Sequence, residues 1–213
     1  MKAALSLFLS TLLAWSLSAT AGSSTEAMTA LQNDWATIHY TLAEEVQEKA
    51  YAELAEVANQ AVKSYPDAAE VWIWRGIVLS TYAGAKGGLG ALDLVKQARA
   101  SLEQAIAIDD NALDGSAYTS LGALYYQVPG WPLSFGSDKK ARHYLEMALT
   151  MNPDGIDPNY FYGDFLISQK EYAEARKVLQ HALEAPLRAG REIADDGRRE
   201  EIQKLLSLLK AKS

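Results

Sequence analysis

The chain has 213 residues, 49% of them hydrophobic, and a formal net charge of −7; that is the make-up of a folded domain with a real core, not of a disordered chain. It contains no cysteine, which removes disulfides, thiolate metal sites, cysteine nucleophiles and lipid attachment through an N-terminal cysteine. His39, His143 and His181 lie far apart without HxxxH or HExxH spacing, so no metal or other cofactor is expected. The acidic balance argues against nucleic acid or a strongly anionic membrane as a partner.

The N-terminus reads MKAALSLFLSTLLAWSLSATAGSS. Lys2 is a short positive region, an apolar run follows, and Ala19-Thr20-Ala21 fits the small-x-small cleavage rule. Residues 1–21 are therefore expected to be a cleaved signal peptide. Localisation would then be periplasmic or secreted. Beyond residue 21 no apolar stretch approaches the length of a membrane span.

The rest of the chain repeats. Residues 22–66 read as a degenerate first helix pair, with Trp35, Ile38 and Leu42 as core contacts. The repeat is clearest in KKARHYLEMALTMNP, where Ala141, Leu145, Ala148 and Pro153 mark a second helix and its stop. Small alanines let neighbouring helices approach, and the leucine fills the gap. The pattern recurs at Ala98, Leu102 and Ala105, and again at Ala175, Leu179 and Ala182, with a weaker copy at Leu54, Ala58, Ala61 and Pro66. First helices precede three of these copies, carrying Trp72, Gly76 and Leu79, then Tyr118, Leu121, Gly122 and Tyr125, then Tyr162, Gly163 and Leu166. The units are 67–111, 112–153 and 154–186. A link at 187–196 leads to a last helix at 197–212, whose Ile202, Leu205, Leu206 and Leu209 form one apolar stripe. Arg198, Arg199, Glu200, Glu201 and Lys204 are expected to face water on that helix.

This spacing resembles the tetratricopeptide repeat. The implied fold is all-α, a right-handed solenoid of helix hairpins closed by a C-terminal capping helix. Gly163 to Ala175 spans the standard 12 positions, Gly122 to Ala141 spans 19 and Gly76 to Ala98 spans 22. Two insertion loops are therefore expected between the helices of the first two hairpins, within AGAKGGLGALDLVKQ and YYQVPGWPLSFGSD. The glycines of the first suit a tight turn better than a phosphate loop, because the G-x-x-x-x-G-K-[ST] pattern is absent. In the second, prolines restrict the chain around Trp131, Leu133 and Phe135. These aromatics either tuck back onto the helices or line a binding site.

In such stacks the first helix of each pair lines the inner groove. Counting from the glycines, the groove-facing positions are Glu70, Ile73 and Ile77, then Thr119, Ala123 and Tyr126, then Tyr160, Asp164 and Ile167. The candidate site is Ile73, Ile77, Thr119, Tyr126, Trp131, Phe135, Tyr160 and Asp164. These side chains lack the basic clamp that grips a peptide's terminal carboxylate, so an apolar or extended peptide fits better. The arginines Arg188, Arg191, Arg198 and Arg199 alternate with acids and read as a solvated or salt-bridged face. Asp157 is placed to cap a helix starting at Pro158. No G-x-S-x-G, HExxH or Cys/His pair is present, so no enzyme is expected.

The segment YYQVPGWPLSFGSDKKARHYLEMALTMNPDGIDPNYFYGDFL, with AKGGLGALDLVKQA before it and EIADDGRREEI after it, resembles a group of bacterial exported tetratricopeptide proteins. More distantly, Tyr125, Tyr126, Pro129, Gly136, Asp138, Lys139 and Ala141 echo the T component of tetratricopeptide-associated TRAP transporters. The expected role is a non-catalytic envelope adaptor for a protein or peptide. Its alternative is an accessory subunit that holds a small apolar ligand or assembles with a transporter subunit. The chain departs from the transporter pattern in lacking a lipid-attachment cysteine and in its PGWPLSFG loop.

Overall fold

Helix α1 (Ser24–Thr41) begins at a reciprocal cap. The Ser23 hydroxyl accepts from the Glu26 amide at 3.1 Å, and the Glu26 carboxylate accepts from the Ser23 amide at 2.9 Å, so two otherwise orphaned donors are satisfied. The structure, a computed structural model, describes residues 22–210; the expected signal peptide lies outside the described residues. Eight further α-helices follow among the described residues: α2 (Glu44–Ser64), α3 (Ala69–Lys86), α4 (Ala91–Ile108), α5 (Ser116–Gln127), α6 (Asp138–Met151), α7 (Ile156–Ser168), α8 (Tyr172–Leu183) and α9 (Glu192–Lys210). They pack as hairpins α1/α2, α3/α4, α5/α6 and α7/α8, stacked in chain order, with α9 at the end. The chain is thus an all-α solenoid of helix hairpins.

One contact recurs in the three full repeats. A β-carbon added at Gly76 would lie 2.6 Å from Leu102, at Gly122 2.5 Å from Leu145, and at Gly163 2.6 Å from Leu179. Each first-helix glycine is therefore the floor under the leucine of its second helix. The flanking Ala98, Ala105, Ala141, Ala148, Ala175 and Ala182 are all fully buried, so the repeat pattern is a close-packing pattern.

The first insertion takes a different form from the expected loop. Its extra residues lengthen both helices to 18 residues each, leaving only residues 87–90 as a turn. The segment is rich in alanine and leucine, so helix propagates through it. It stops at Gly87 and Gly88, whose φ values of 63° and 60° suit glycine.

The second insertion is a true loop at residues 128–137. The Gly136 amide donates to the Pro129 carbonyl at 3.0 Å, and the Ser137 amide donates to the Tyr125 carbonyl at 2.7 Å. The Trp131–Pro132 peptide is cis. Phe135 packs edge-on against Tyr125 at 5.4 Å and lies under the Arg99 guanidinium at 4.4 Å. Trp131 points the other way, 89% exposed, with Leu133 also exposed. The loop thus tucks in one aromatic ring and presents another.

Helix α9 starts five residues earlier than the sequence suggests. Its apolar stripe packs as expected, with Ile202 and Leu209 buried against the Leu166, Leu179 and Ala182 cluster. Glu200 and Lys204 are exposed as expected, but one side of its first half turns inward, with Ala194 and Asp195 buried. It crosses to α7 and to α1, the first helix of the chain. Arg198 is buried there, and Arg199 donates to the Leu183 and Ala185 carbonyls at 2.6 Å. In the first pair, Trp35 and Ile38 are buried as expected, while Leu42 is exposed at the helix end.

Two helix glycines separate packing from propensity. Gly122→Ala must displace Leu145 and is expected to cost about 1–3 kcal/mol. Gly84 of α3 has nothing within 4 Å of an added β-carbon, so Gly84→Ala is expected to stabilise by about 0.5–1 kcal/mol. Urea unfolding midpoints of the two variants measure both, and equal shifts of the same sign would contradict the packing account.

Candidate binding cavity

First helices α1, α3, α5 and α7 touch one another along one side of the stack. They surround a concavity of about 1200 Å³. Its α1 and α3 walls carry Gln32, Trp35, His39, Trp74, Ile77 and Thr81, and its α5 and α7 walls carry Thr119, Ala123, Tyr160 and Phe161. Leu113 and Asp114, at the junction between α4 and α5, also line it. Both hold left-handed φ values, 50° and 52°, a strained conformation for residues with a side chain.

The aromatic wall is cross-braced. Trp35 stacks on His39 at 4.8 Å and meets Trp74 edge-on at 5.9 Å. Its indole N–H donates to the Thr81 hydroxyl at 3.0 Å. The ring nitrogen Nδ1 of His39 shares a hydrogen bond with the Tyr51 hydroxyl at 2.9 Å. Burial pushes the Tyr160 hydroxyl up to about 12, against the pull of Arg198 beside it.

The remaining side of the cavity is supplied from outside the repeats. Arg188, Arg191, Arg198 and Glu201 reach it from the link and α9. Asp157, in the first turn of α7, is the hub: it accepts from Arg188 Nη1 at 2.8 Å and from Arg198 Nε at 2.9 Å. Arg188 also donates from its Nε to Asp195 at 2.8 Å, and Arg198 from its Nη1 to Glu201 at 2.6 Å. Arg198 lies over the Tyr160 ring at 4.1 Å. Asp157 is thus a bridge between arginines, not the cap that its position before Pro158 suggests; α7 starts at Ile156 with Gly155 as its cap residue. Burial alone would raise its carboxyl, but Arg198 and Arg188 outweigh that and hold it at about 2. Glu201 continues the bridge to α1, facing His39 Nε2 at 3.4 Å. Gly197 lets the helices meet, because a β-carbon there would fall 2.2 Å from the Tyr40 ring.

The expected site residues divide among four places. Ile77, Thr119 and Tyr160 line the cavity. Ile73 is fully buried in the core and is not part of the lining. Tyr126 donates to Asp164 at 2.7 Å, and the pair stands apart from the cavity lining. Trp131 and Phe135 also stand outside that lining, although Val128 and Pro129 of the same loop belong to it. Sequence reasoning missed the α1 aromatics and the arginines of the link and α9. Gly197, a lone glycine inside a polar helical run, is the one residue that signals the closure. Among the described residues no group of three or more histidines, cysteines or acids is placed to hold a metal ion. No helix among them is long and apolar enough to cross a membrane.

Asp157 gives the site a pH signature. Its folded pKa lies below the ordinary carboxylate value of 3.8, at about 2. The stabilisation it provides is complete above about pH 4 and lost as the pH falls toward 2; a shift of this size is worth about 2 kcal/mol. Asp157→Asn takes one of two carboxylates from the buried Arg198 and from the half-buried Arg188 and is expected to cost about 2–3 kcal/mol near neutrality, below the full loss for a buried charge left with no partner. Urea midpoints of the two proteins should converge by about 2 kcal/mol between pH 5 and pH 2. A gap that does not change with pH would contradict the role given to this carboxylate.

Residues 139–189 match the family model of the tetratricopeptide repeat, a segment running from α6 through α8 and less than half of the chain. A comparison with curated proteins finds no match. Among solved structures the chain is similar to yeast Tom70, at 15% identity and a TM-score of 0.50, covering 89% of this chain and 40% of that one. It therefore spans about two fifths of that protein's length. It also aligns with pilF of Pseudomonas aeruginosa at 15% identity and a TM-score of 0.35, covering 89% of this chain and 95% of that one. The likeness to Tom70 at this identity is one of fold, a tetratricopeptide-like solenoid of helix hairpins.

Proposed function

We propose that the protein is a non-catalytic interaction module that holds an extended segment of a partner protein in its cavity. The size of the concavity carries this reading. At about 1200 Å³ it exceeds the roughly 300–1,000 Å³ of ordinary small-molecule pockets. Its walls mix apolar and aromatic surface with Gln32, Thr119 and Gln127, side chains able to hydrogen-bond a peptide backbone. Trp131, exposed on its braced loop beside the rim residue Pro129, is proposed as a second contact for the same partner. A second reading, a carrier for a small apolar ligand such as an accessory transport subunit would need, draws on the cluster of Trp35, Trp74, Tyr160 and Phe161.

We further propose that the module works in the bacterial envelope after removal of residues 1–21. The capped start of α1 at Ser23 supports this, because a chain beginning at Gly22 keeps both hydrogen bonds of the cap.

Display selection of random peptides tests the interaction reading. Ser120→Trp fills the cavity from a half-buried lining position and should weaken selected peptides about tenfold or more, or roughly 1.4 kcal/mol. Peptides that bind this variant as well as the parent would place the contact elsewhere. Native mass spectrometry of the protein purified from cells separates the readings: a bound small molecule favours the carrier. Terminal sequencing of the exported protein should begin at Gly22, and an intact Met1 terminus would reject the export proposal.

A further inference from the structure

We propose that the cavity takes a carboxylate and that Arg191 is the group that receives it. This rests on the reading of the cavity as a binding surface and names the chemistry of what it binds. Three arginines enter the cavity from the C-terminal segment, and two of them are spoken for. Arg188 is bound to Asp157 and Asp195, and Arg198 to Asp157 and Glu201. Arg191 has no carboxylate at ion-pair distance among the described residues, and its Nε is buried without an acceptor.

The side chain is nonetheless held in place. Its guanidinium lies 5.1 Å over the Trp74 ring. With the Gln32 amide turned to suit both donors, its oxygen accepts from Arg191 Nη1 at 3.2 Å and from the Trp74 indole at 3.0 Å. The plane of the fork is thus fixed while part of its donor set stays unused. Burial first, and then the charge of Arg188, lower its pKa, and the more distant Asp157 and Asp195 offset this only in part.

A buried charged donor without an acceptor is costly to the free protein. A ligand carboxylate supplies paired oxygens that match the guanidinium fork. Asp157, Asp195 and Glu201 already match the three arginines in number, so a carboxylate leaves the cluster with one excess negative charge where a phosphate dianion leaves two. A single carboxylate is the anion it accommodates, and Trp74 beside it favours one carried on an apolar or aromatic group. In a peptide this is either the chain's C-terminus or an aspartate or glutamate side chain.

Phenylacetate and its uncharged isostere phenylacetamide are the first probes, titrated into the millimolar range and read by tryptophan fluorescence and thermal shift. Phenylacetate should bind about tenfold or more tightly than phenylacetamide. Arg191→Gln should erase that difference, and Arg191→Lys, with the charge but not the fork, should keep part of it. Equal binding of the two probes, no binding of either, or a difference that survives Arg191→Gln would overturn the proposal. The two probes on the unaltered protein decide the matter even if a variant folds poorly. Display-selected peptides, compared with free and amidated C-termini and with acids changed to amides, then distinguish a terminal from a side-chain carboxylate. Peptides selected without any preference for acid would overturn this inference and leave the interaction reading standing. Phenylacetate binding through Arg191 without any selectable peptide would do the reverse.

Discussion

The spacing between the two helices of each full repeat is set by a single steric fact. A hydrogen atom at Gly76, Gly122 and Gly163 gives Leu102, Leu145 and Leu179 room to seat, and a methyl group in the same place would overlap the leucine. The helices come as close as they do because nothing stands between them. Each glycine lowers helix propensity by about 1 kcal/mol, and close packing around it offsets that loss. With hairpin geometry repeated three times, the first helices fall on one side of the stack, and the cavity follows from that alignment.

The repeats build three sides of the cavity, and the fourth is a feature of this chain. The C-terminal helix does two jobs along its length. Its later turns present Ile202 and Leu209 to the last hairpin, as a cap must. Its earlier turns carry Arg198 and Glu201 back to Asp157 on α7 and His39 on α1. Arg198 is buried and its partners are partly so, and charges drawn out of water in this way hold together best as a connected set. The set is connected because Asp157 accepts from two arginines at once.

The repeats were legible because they rest on local, periodic constraints that recur along the chain. Alanine and glycine spacing marks the hairpins, and the Ile202–Leu209 stripe marks the cap. Lengths alone were ambiguous: extra residues before Ala98 became helix, while those before Ala141 became a loop, and only the prolines of the second segment separate the two cases. The site was legible where it lies on repeat helices, at Ile77, Thr119 and Tyr160. Ile73 shares a face of α3 with Ile77, one turn away, yet it is fully buried and stands outside the lining. Arg191 and Asp157 were not legible as parts of one cavity lining. Their meeting depends on where α9 lands after the solenoid has curved, and that is a sum over every hairpin rather than a property of any one stretch.

The return of α9 to α1 also changes how such a molecule comes apart. A stack in which each hairpin touches only its neighbours is quasi-one-dimensional, and its terminal units can fray singly. Here the last helix is also a neighbour of the first, through Gly197 on Tyr40 and Glu201 on His39. Loosening either end breaks contacts at both. The array thereby gains the boundary condition of a ring, in which local opening at one terminus is coupled to the other, and a linear chain of repeats unfolds more nearly as one cooperative unit.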